Sequence, residues 1–221
     1  MDDGRVGEKC PEGAKEELRW SYKICIPPSV YDPSDDTYLI LDYLERNGHL
    51  VKGASVLDIG TGSGIISLLS SQLGAKRVIS IDISQQACEA TSYNAKKVLN
   101  EKSDVIDVIM SDGVRAIRNG SYFDLVLMNP PYLPEGEKTG DLSLDRALEG
   151  GATGAEASIS LLTGISETLS GSYTLLLVAS SLGNAEKVMN AMRSLSYIVS
   201  IESERKYFFE TLYLIKGEKV E

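Results

Sequence analysis

The sequence predicts an α/β domain whose mostly parallel sheet is covered by helices and ends in an antiparallel hairpin. Three observations predict this fold. Apolar runs typical of buried strands alternate with amphipathic, helix-like segments from residue 34 onward. Strands separated by helices form parallel sheets, because right-handed crossovers place the helices on the two faces. The last two predicted strands are only a few residues apart, which allows an antiparallel hairpin alone.

The order of the elements follows from capping and periodicity. The first helix begins after the N-cap residue Ser34, carries Asp35 and Asp36 at its positive end, and stops at Asn47 and Gly48. The seven predicted strands cover Ser55–Asp58, Arg77–Asp82, Asp104–Met110, Phe123–Met128, Tyr173–Ala179, about Tyr197–Glu202 and Tyr207–Ile215. Further helices are predicted over 65–73, 84–100, 155–169 and 184–195, and a loop rich in glycine over 129–154.

Length and composition bound the function. The 221 residues, 43% of them hydrophobic, suit one domain over 21–221, and residues 1–20 are predicted to be a flexible arm. A net charge of −10 without a concentrated basic face disfavours general nucleic-acid binding. One histidine and three cysteines without a C-x-x-C pair predict free thiols, no metal site and no disulfide framework. Because a signal peptide and a membrane-length apolar run are missing, we expect a cytoplasmic protein.

A glycine-rich turn follows the first strand of the predicted sheet. Asp58 and Ile59 run into the glycines Gly60, Gly62 and Gly64, and a helix begins directly afterwards. Glycines here permit a tight bend and let the backbone approach a ligand beside a helix N-terminus. A dinucleotide fingerprint requires G-x-G-x-x-G, and the spacing here is G-x-G-x-G. The turn therefore predicts a cofactor site of another kind, and a tight packing turn is the alternative.

Acidic residues lie at the carboxyl ends of three successive strands. Asp58 ends the first strand, Asp82 the second, and Asp112 with Gly113 follows the third. Parallel strands bring these ends to one edge of the sheet, where α/β folds bind ligands. Asp82 can accept both hydroxyl protons of a ribose, or it can simply cap the following helix. Asp58 can orient the glycine turn or contact the cofactor.

The residues after the fourth strand indicate the chemistry. Asn129, Pro130, Pro131 and Tyr132 form an Asn-Pro-Pro-Tyr tetrad. The Asn129 side-chain oxygen and the Pro130 carbonyl can each accept an N–H from a planar nitrogen and aim it at a methyl donor. The two prolines fix the backbone, and Tyr132 can lie against the planar group of the substrate. These four residues are the catalytic candidates, and Asn129 is also predicted to contact the cofactor. A proline-rich turn without chemistry is the alternative.

The glycine turn and the tetrad resemble the signatures of class I S-adenosylmethionine-dependent methyltransferases, a Rossmann-like fold. The tetrad is similar to that of enzymes acting on adenine N6, cytosine N4, guanine N2 or the glutamine side chain. Residues 30–37, Val-Tyr-Asp-Pro-Ser-Asp-Asp-Thr, resemble the entry segment of the short HemK-related glutamine methyltransferases of archaea and eukaryotes. These modify the Gly-Gly-Gln motif of class 1 translation release factors.

The resemblance implies several roles. Tyr31 would lie near the methionine end of S-adenosylmethionine, Thr37 over this cofactor, and Asp112 at its adenine amino group; S-adenosylhomocysteine would be the product. The short members lack a separate substrate domain and form a heterodimer with a small zinc-binding activator protein. An exposed edge strand at Val105–Met110 would suit that partner, although the same segment is equally compatible with a central strand.

Three other functions stay open from the sequence. The tetrad is compatible with an amino-methyltransferase acting on RNA or DNA bases, although a basic stripe is missing. Some relatives are credited with lysine methylation on a basic protein. A catalytically silent cofactor-binding scaffold is the third, and the intact tetrad speaks against it.

Overall fold

The computed structural model describes residues 10, 11, 13–136, 145 and 147–220. The strands are β1 (Lys15–Arg19), β2 (Tyr22–Ile26), β3 (Ser55–Ile59), β4 (Arg77–Asp82), β5 (Ile106–Met110), β6 (Leu125–Met128), β7 (Tyr173–Ser180), β8 (Tyr197–Lys206) and β9 (Thr211–Lys219). The α-helices are α1 (Asp35–Arg46), α2 (Ile65–Gln72), α3 (Gln85–Leu99), α4 (Glu156–Thr168) and α5 (Ala185–Ser194). This alternation confirms the predicted α/β fold.

A seven-stranded sheet of order β5-β4-β3-β6-β7-β9-β8 forms the centre of the molecule. The five strands β5, β4, β3, β6 and β7 run parallel to one another. β9 pairs antiparallel with both β7 and β8. One core cluster contains apolar residues of α1, α2 and α3, and a second contains those of α4 and α5. The sheet therefore has a helical layer on each face. Every residue of β6 is buried, as expected of a central parallel strand.

The terminal hairpin is confirmed, but its second strand begins later than predicted. Residues 207–210 make the turn, closed by the Tyr207 N–H donating to the Glu210 carbonyl at 2.7 Å, and β9 starts at Thr211. β5 likewise starts at Ile106 rather than 104, because a 3₁₀ helix over Asn100–Val105 precedes it. Both shifts occur where a turn contains apolar residues among polar ones, a pattern that also predicts a strand.

The N-terminal prediction needs two corrections. A flexible arm over 1–20 is wrong for residues 15–19, which form β1 and pair antiparallel with β2; residues 1–9 and 12 lie outside the described part. β2 buries Tyr22 and Ile24 in the core and so provides a fixed edge for β1. Free thiols are predicted for all three cysteines, and this is wrong for Cys10 and Cys25, which form a disulfide. Cys88 has a free thiol.

β5 lies at the edge of the sheet, paired with β4 along one side. The edge-strand alternative for this segment is therefore right, and the central-strand alternative is wrong. The side chain of Met110 at its end is 62% exposed. In the part of the chain that the structure describes, none of the helices has the length and apolar character needed to cross a membrane.

Candidate active site

A cavity of about 640 Å³ opens at the carboxyl edge of the parallel strands. Its volume is within the usual range for small-molecule sites. It brings together most of the residues predicted for the site: Tyr31, Thr37, Gly60, Gly62, Asp82, Asp112, Gly113, Asn129, Pro130, Pro131 and Tyr132. Asp58 and Gly64 do not line it. We call Gly60, Gly62 and Asp82 the glycine-loop wall, and Asn129–Tyr132 together with Asp36 and Thr37 the tetrad wall.

The glycine-loop wall is held by hydrogen bonds between its own neighbours. Asp82 Oδ2 accepts the Gly62 N–H and Oδ1 accepts the Ser84 N–H, each at 2.9 Å. Gly60 and Gly62 both have positive φ, which allows the tight turn between β3 and α2. Burial raises the pKa of Asp82, and these backbone donors act in the opposite direction. Each oxygen keeps a lone pair, so this carboxylate can still accept the hydroxyls of a diol.

Asp58 lies beneath the glycine loop and not on the cavity. Its Oδ2 accepts hydrogen bonds from Thr61 Oγ1 at 2.8 Å and Ser67 Oγ at 2.6 Å. Burial raises its pKa to about 6. The side chain is fully buried and bonded to the loop, which agrees with the predicted role in orienting it, and contact with the cofactor stays a prediction.

Gly64 does not line the cavity, and its part in cofactor binding stays a prediction. A Cβ built at Gly64 would lie 2.8 Å from Thr91 Cγ2, closer than van der Waals contact permits. The residue precedes α2, and Thr91 belongs to α3. Glycine is therefore required here so that the start of α2 can pack on α3.

The tetrad wall is a network of side chains from two distant segments. The buried Asp36 accepts the Thr37 backbone N–H at 2.6 Å and its hydroxyl at 3.3 Å through Oδ1, and the Tyr132 hydroxyl at 3.1 Å through Oδ2. Thr37 Oγ1 in turn accepts the Asn129 side-chain N–H at 3.1 Å. Asn129 Oδ1 is buried and has no partner among the described residues. One acceptor of the tetrad is therefore left for a ligand.

Burial and the nearby Asp36 carboxylate raise the pKa of Tyr31 and of Tyr132. Both phenols therefore stay protonated at neutral pH, and Tyr132 keeps its proton for the bond to Asp36. The ring of Tyr132 is thus fixed at the cavity by a hydrogen bond to α1.

Glycines enclose the backbone of the tetrad. A Cβ at Gly183 would lie 1.9 Å from the Tyr132 carbonyl oxygen, and one at Gly154 would lie 2.4 Å from it. A Cβ at Gly150 would lie 2.7 Å from the Pro131 carbonyl oxygen. The tetrad is therefore positioned by close backbone contacts that side chains would prevent.

Sequence reasoning missed Asp36 and Gly183 as site residues. The sequence pattern gives Asp36 only a helix-dipole role, although it falls on the buried face of α1, three and four residues before Leu39 and Ile40. That spacing is a signal that separates it from the exposed Asp35. Gly183 follows β7, and only the fold shows that it reaches Tyr132.

The fold and the cavity together define the class. A seven-stranded sheet of this order, with a glycine loop after β3 and an acidic side chain at the end of β4, is the architecture of a class I methyltransferase. Solved structures agree. The E. cuniculi Mtq2-Trm112 complex, described as responsible for the methylation of the eRF1 translation termination factor, matches with a TM-score of 0.65 and 28% identity, covering 86% of this chain and 99% of that one.

Relatives identify the family. A Methanocaldococcus jannaschii protein named as a protein N5-glutamine methyltransferase is 33% identical over 88% of this chain and 94% of its own length. The eRF1 methyltransferase catalytic subunit mtq2 of Schizosaccharomyces pombe is 27% identical over 85% of this chain and 88% of its own length. The family model for ribosomal protein L11 methyltransferase matches residues 35–130. The chain belongs to the protein N5-glutamine methyltransferases, a membership that implies a methyl donor of the S-adenosylmethionine type.

Proposed function

We propose that this enzyme methylates the side-chain nitrogen of the glutamine in the Gly-Gly-Gln motif of a class 1 release factor. The observation that carries the proposal is Asn129 Oδ1, a buried acceptor without a partner in the described structure. A primary amide offers two N–H donors, so it can satisfy this oxygen and a neighbouring carbonyl together. The names of the S. pombe relative and the E. cuniculi complex, which refer to eRF1, support this choice of substrate.

S-adenosylmethionine fits the other wall of the cavity as the methyl donor, with S-adenosylhomocysteine as the product. Asp82 would accept its ribose hydroxyls, Gly60 and Gly62 would approach it with backbone, and Asp112 with Gly113 would meet its adenine. Tyr31 and Thr37, which line the same cavity, would lie towards its methionine end. When bound, this cofactor supplies an electrophilic methyl group on sulfur.

The tetrad makes a poor nucleophile reactive. An amide nitrogen attacks slowly because its lone pair is delocalised into the carbonyl. Asn129 Oδ1 and the Pro130 carbonyl accept the two N–H groups, which orients the nitrogen and stabilises the positive charge that develops on it. Tyr132, held by Asp36, supports the planar amide from one side. The nitrogen gains the methyl group and releases one proton, and the chain forms no covalent bond to the substrate.

The edge strand β5 suits a protein partner. Its other side pairs with no strand among the described residues, and Met110 at its end is exposed. We place the small zinc-binding activator on this edge, as a heterodimer partner that adds a strand or covers the apolar side chains. The E. cuniculi relative, solved as a complex of Mtq2 with Trm112, supports a two-protein assembly. The reaction then takes place in the cytoplasm, where release factors act.

Intact-mass spectrometry tests the proposal. A class 1 release factor is incubated with this protein and S-adenosylmethionine, with and without the activator. We expect a gain of one methylene, mapped by fragmentation to the glutamine of Gly-Gly-Gln, and no gain on a release factor carrying alanine at that glutamine. Equal labelling of the alanine variant, or no labelling with cofactor shown to bind, would contradict the proposed substrate. RNA and lysine peptides, assayed in parallel, report the alternative activities.

A further inference from the structure

Two aromatic side chains at the tip of the β8–β9 hairpin are exposed to a degree that is unusual for phenylalanine. Phe208 is 91% exposed and Phe209 is 82% exposed, the highest values among the large apolar side chains of the described residues. Their rings pack edge to face with centroids 4.5 Å apart. Phenylalanine is scarce in this chain, and the third one, Phe123, is buried. Exposed apolar surface of this kind is typical of interaction sites.

The hairpin tip lies at the edge of the sheet that carries the active site. Ser180, at the carboxyl end of β7, pairs with Leu212 beside the tip. The Ser180 hydroxyl donates to Glu210 at 2.6 Å and accepts the Leu182 N–H at 3.0 Å. Leu182 is itself 47% exposed, and the next residue, Gly183, packs on the Tyr132 carbonyl. We call Leu182, Phe208 and Phe209 the tip patch.

The tip is braced against the helix that supports the tetrad. Arg205 forms ion pairs with Asp35 and with Asp42 of α1, and the Tyr207 hydroxyl donates to Asp35. Asp36, the next residue of α1, holds Tyr132. The base of the hairpin tip is therefore linked to α1, the helix whose Asp36 holds Tyr132.

We infer that the tip patch is the docking surface for the body of the release factor, an inference that rests on the proposed function. A glutamine side chain is short, so the protein that carries it must lie against the rim of the cavity when the amide reaches Asn129. The tip-patch residues do not line the cavity themselves, but Leu182 precedes Gly183, which packs on the Tyr132 carbonyl, and Tyr207 beside the rings bonds to Asp35 of α1. Exposed aromatic anchors next to a polar site are typical of residues that dominate binding energy at protein interfaces.

The test compares wild type with a double variant that carries both Phe208→Ser and Phe209→Ser. Binding of the release factor is measured by biolayer interferometry, and KM and kcat by methylation, with the activator present throughout. We expect the double variant to raise Kd and KM by at least about tenfold and to leave kcat at saturating release factor and cofactor affinity unchanged. Ile198→Ser is the matched control, because Ile198 is 63% exposed at the opposite end of the same hairpin.

The outcomes separate this inference from the proposed function. Equal Kd and KM for the double variant and wild type would overturn the docking surface alone. Binding of the release factor without methylation by wild type would overturn the proposed function alone, and the loss of binding in the double variant would still support the patch. A wild-type dimer that the double variant dissociates without a change in KM would assign the patch to a second copy of this chain.

Discussion

The glycine-loop wall and the tetrad wall line one cavity, but they differ in how their polar groups are paired and in what holds them. In the glycine-loop wall, both oxygens of Asp82 already accept backbone N–H groups, one from Ser84, two residues on, and one from Gly62, 20 residues back on the neighbouring strand's loop. In the tetrad wall, the contacts of Asp36 and Thr37 span 96 and 92 residues, and Asn129 Oδ1 is left unpaired. Under the proposed function the first wall is a preformed cradle for the methyl donor, and the second keeps one buried acceptor, Asn129 Oδ1, for the substrate amide.

This difference separates binding from chemistry. A change at Asn129 or Tyr132 should affect turnover more than donor affinity, because the cradle of Gly60, Gly62 and Asp82 does not include these side chains. A change beneath the glycine-loop wall should affect stability and donor binding. Substitutions on the two sides of the cavity can therefore test this division separately.

The largest effect is expected from Asn129→Ala. Removing the unpaired oxygen leaves the amide nitrogen without one of its two acceptors, so we expect turnover to fall by about 10³-fold or more. Donor affinity, measured by calorimetry, should stay within a few-fold of wild type. Loss of donor binding in this variant would place Asn129 in the cradle and contradict the division between the walls.

Asp58, beneath the glycine-loop wall, should make the stability of the protein depend on pH. Burial raises the pKa of Asp58 to about 6 in the folded state, against about 3.9 in an unfolded chain. The folded state therefore prefers the protonated form of Asp58. The stability that this protonated form contributes is fully present below about pH 4 and is lost as the pH rises through about 6. The resulting cost at neutral pH is about 3 kcal/mol.

The Asp58→Asn variant cannot ionise at this position. As the pH rises from 4 to 7, its free energy of unfolding should therefore increase relative to that of wild type by up to about 3 kcal/mol. Urea denaturation at several pH values measures the difference. Asp104→Asn, at an exposed position, is the control. A difference that does not vary with pH would show that the charge of Asp58 is compensated by its hydroxyl donors.

Gly183→Ala should damage the tetrad wall alone. The new methyl would lie 1.9 Å from the Tyr132 carbonyl oxygen, so the tetrad must shift. A displacement of about 1 Å at a catalytic group costs roughly 10²-fold in rate. We expect that loss in kcat with donor affinity little changed. Gly48→Ala is the control, since its methyl would meet Leu73 at an ordinary 3.5 Å.

The same division explains what the sequence could predict. The glycine turn, Asp82 and the strand ends follow from local patterns, because each contact joins residues near in sequence or at one predictable sheet edge. The pairing of Asp36 with Tyr132 and the contact of Gly183 depend on how distant segments pack, so only the fold reveals them. β1 escapes prediction because Lys15–Arg19 contains four charged residues and one leucine and lacks an apolar alternation. The Cys10–Cys25 disulfide escapes it because an odd number of cysteines indicates no pairing.

The smallest effect is expected from Asp36→Asn, which tests whether Asp36 positions the tetrad. The Thr37 hydroxyl donates to Asp36, which leaves its oxygen free to accept the Asn129 amide N–H and so turns Asn129 Oδ1 to the ligand. Asparagine at position 36 can keep the bonds from Thr37, but it meets the Tyr132 hydroxyl with an amide N–H, so this bond must reverse and loses the carboxylate charge. We therefore expect about a tenfold loss in kcat, because the anchor of Tyr132 is weakened while the orientation of Asn129 survives.

Asp36→Leu removes both functions, so its kcat should fall towards that of Asn129→Ala, again with donor affinity retained. Glu45→Gln, on the exposed face of the same helix, is the matched control and should leave kcat unchanged. The graded series of Glu45→Gln, Asp36→Asn and Asp36→Leu separates positioning from general helix stability, since loss of helix stability would lower donor affinity and unfolding free energy together. Equal activity of all three variants would show that Asn129 is oriented without Asp36. The geometry of the tetrad wall would then not depend on this contact between distant segments.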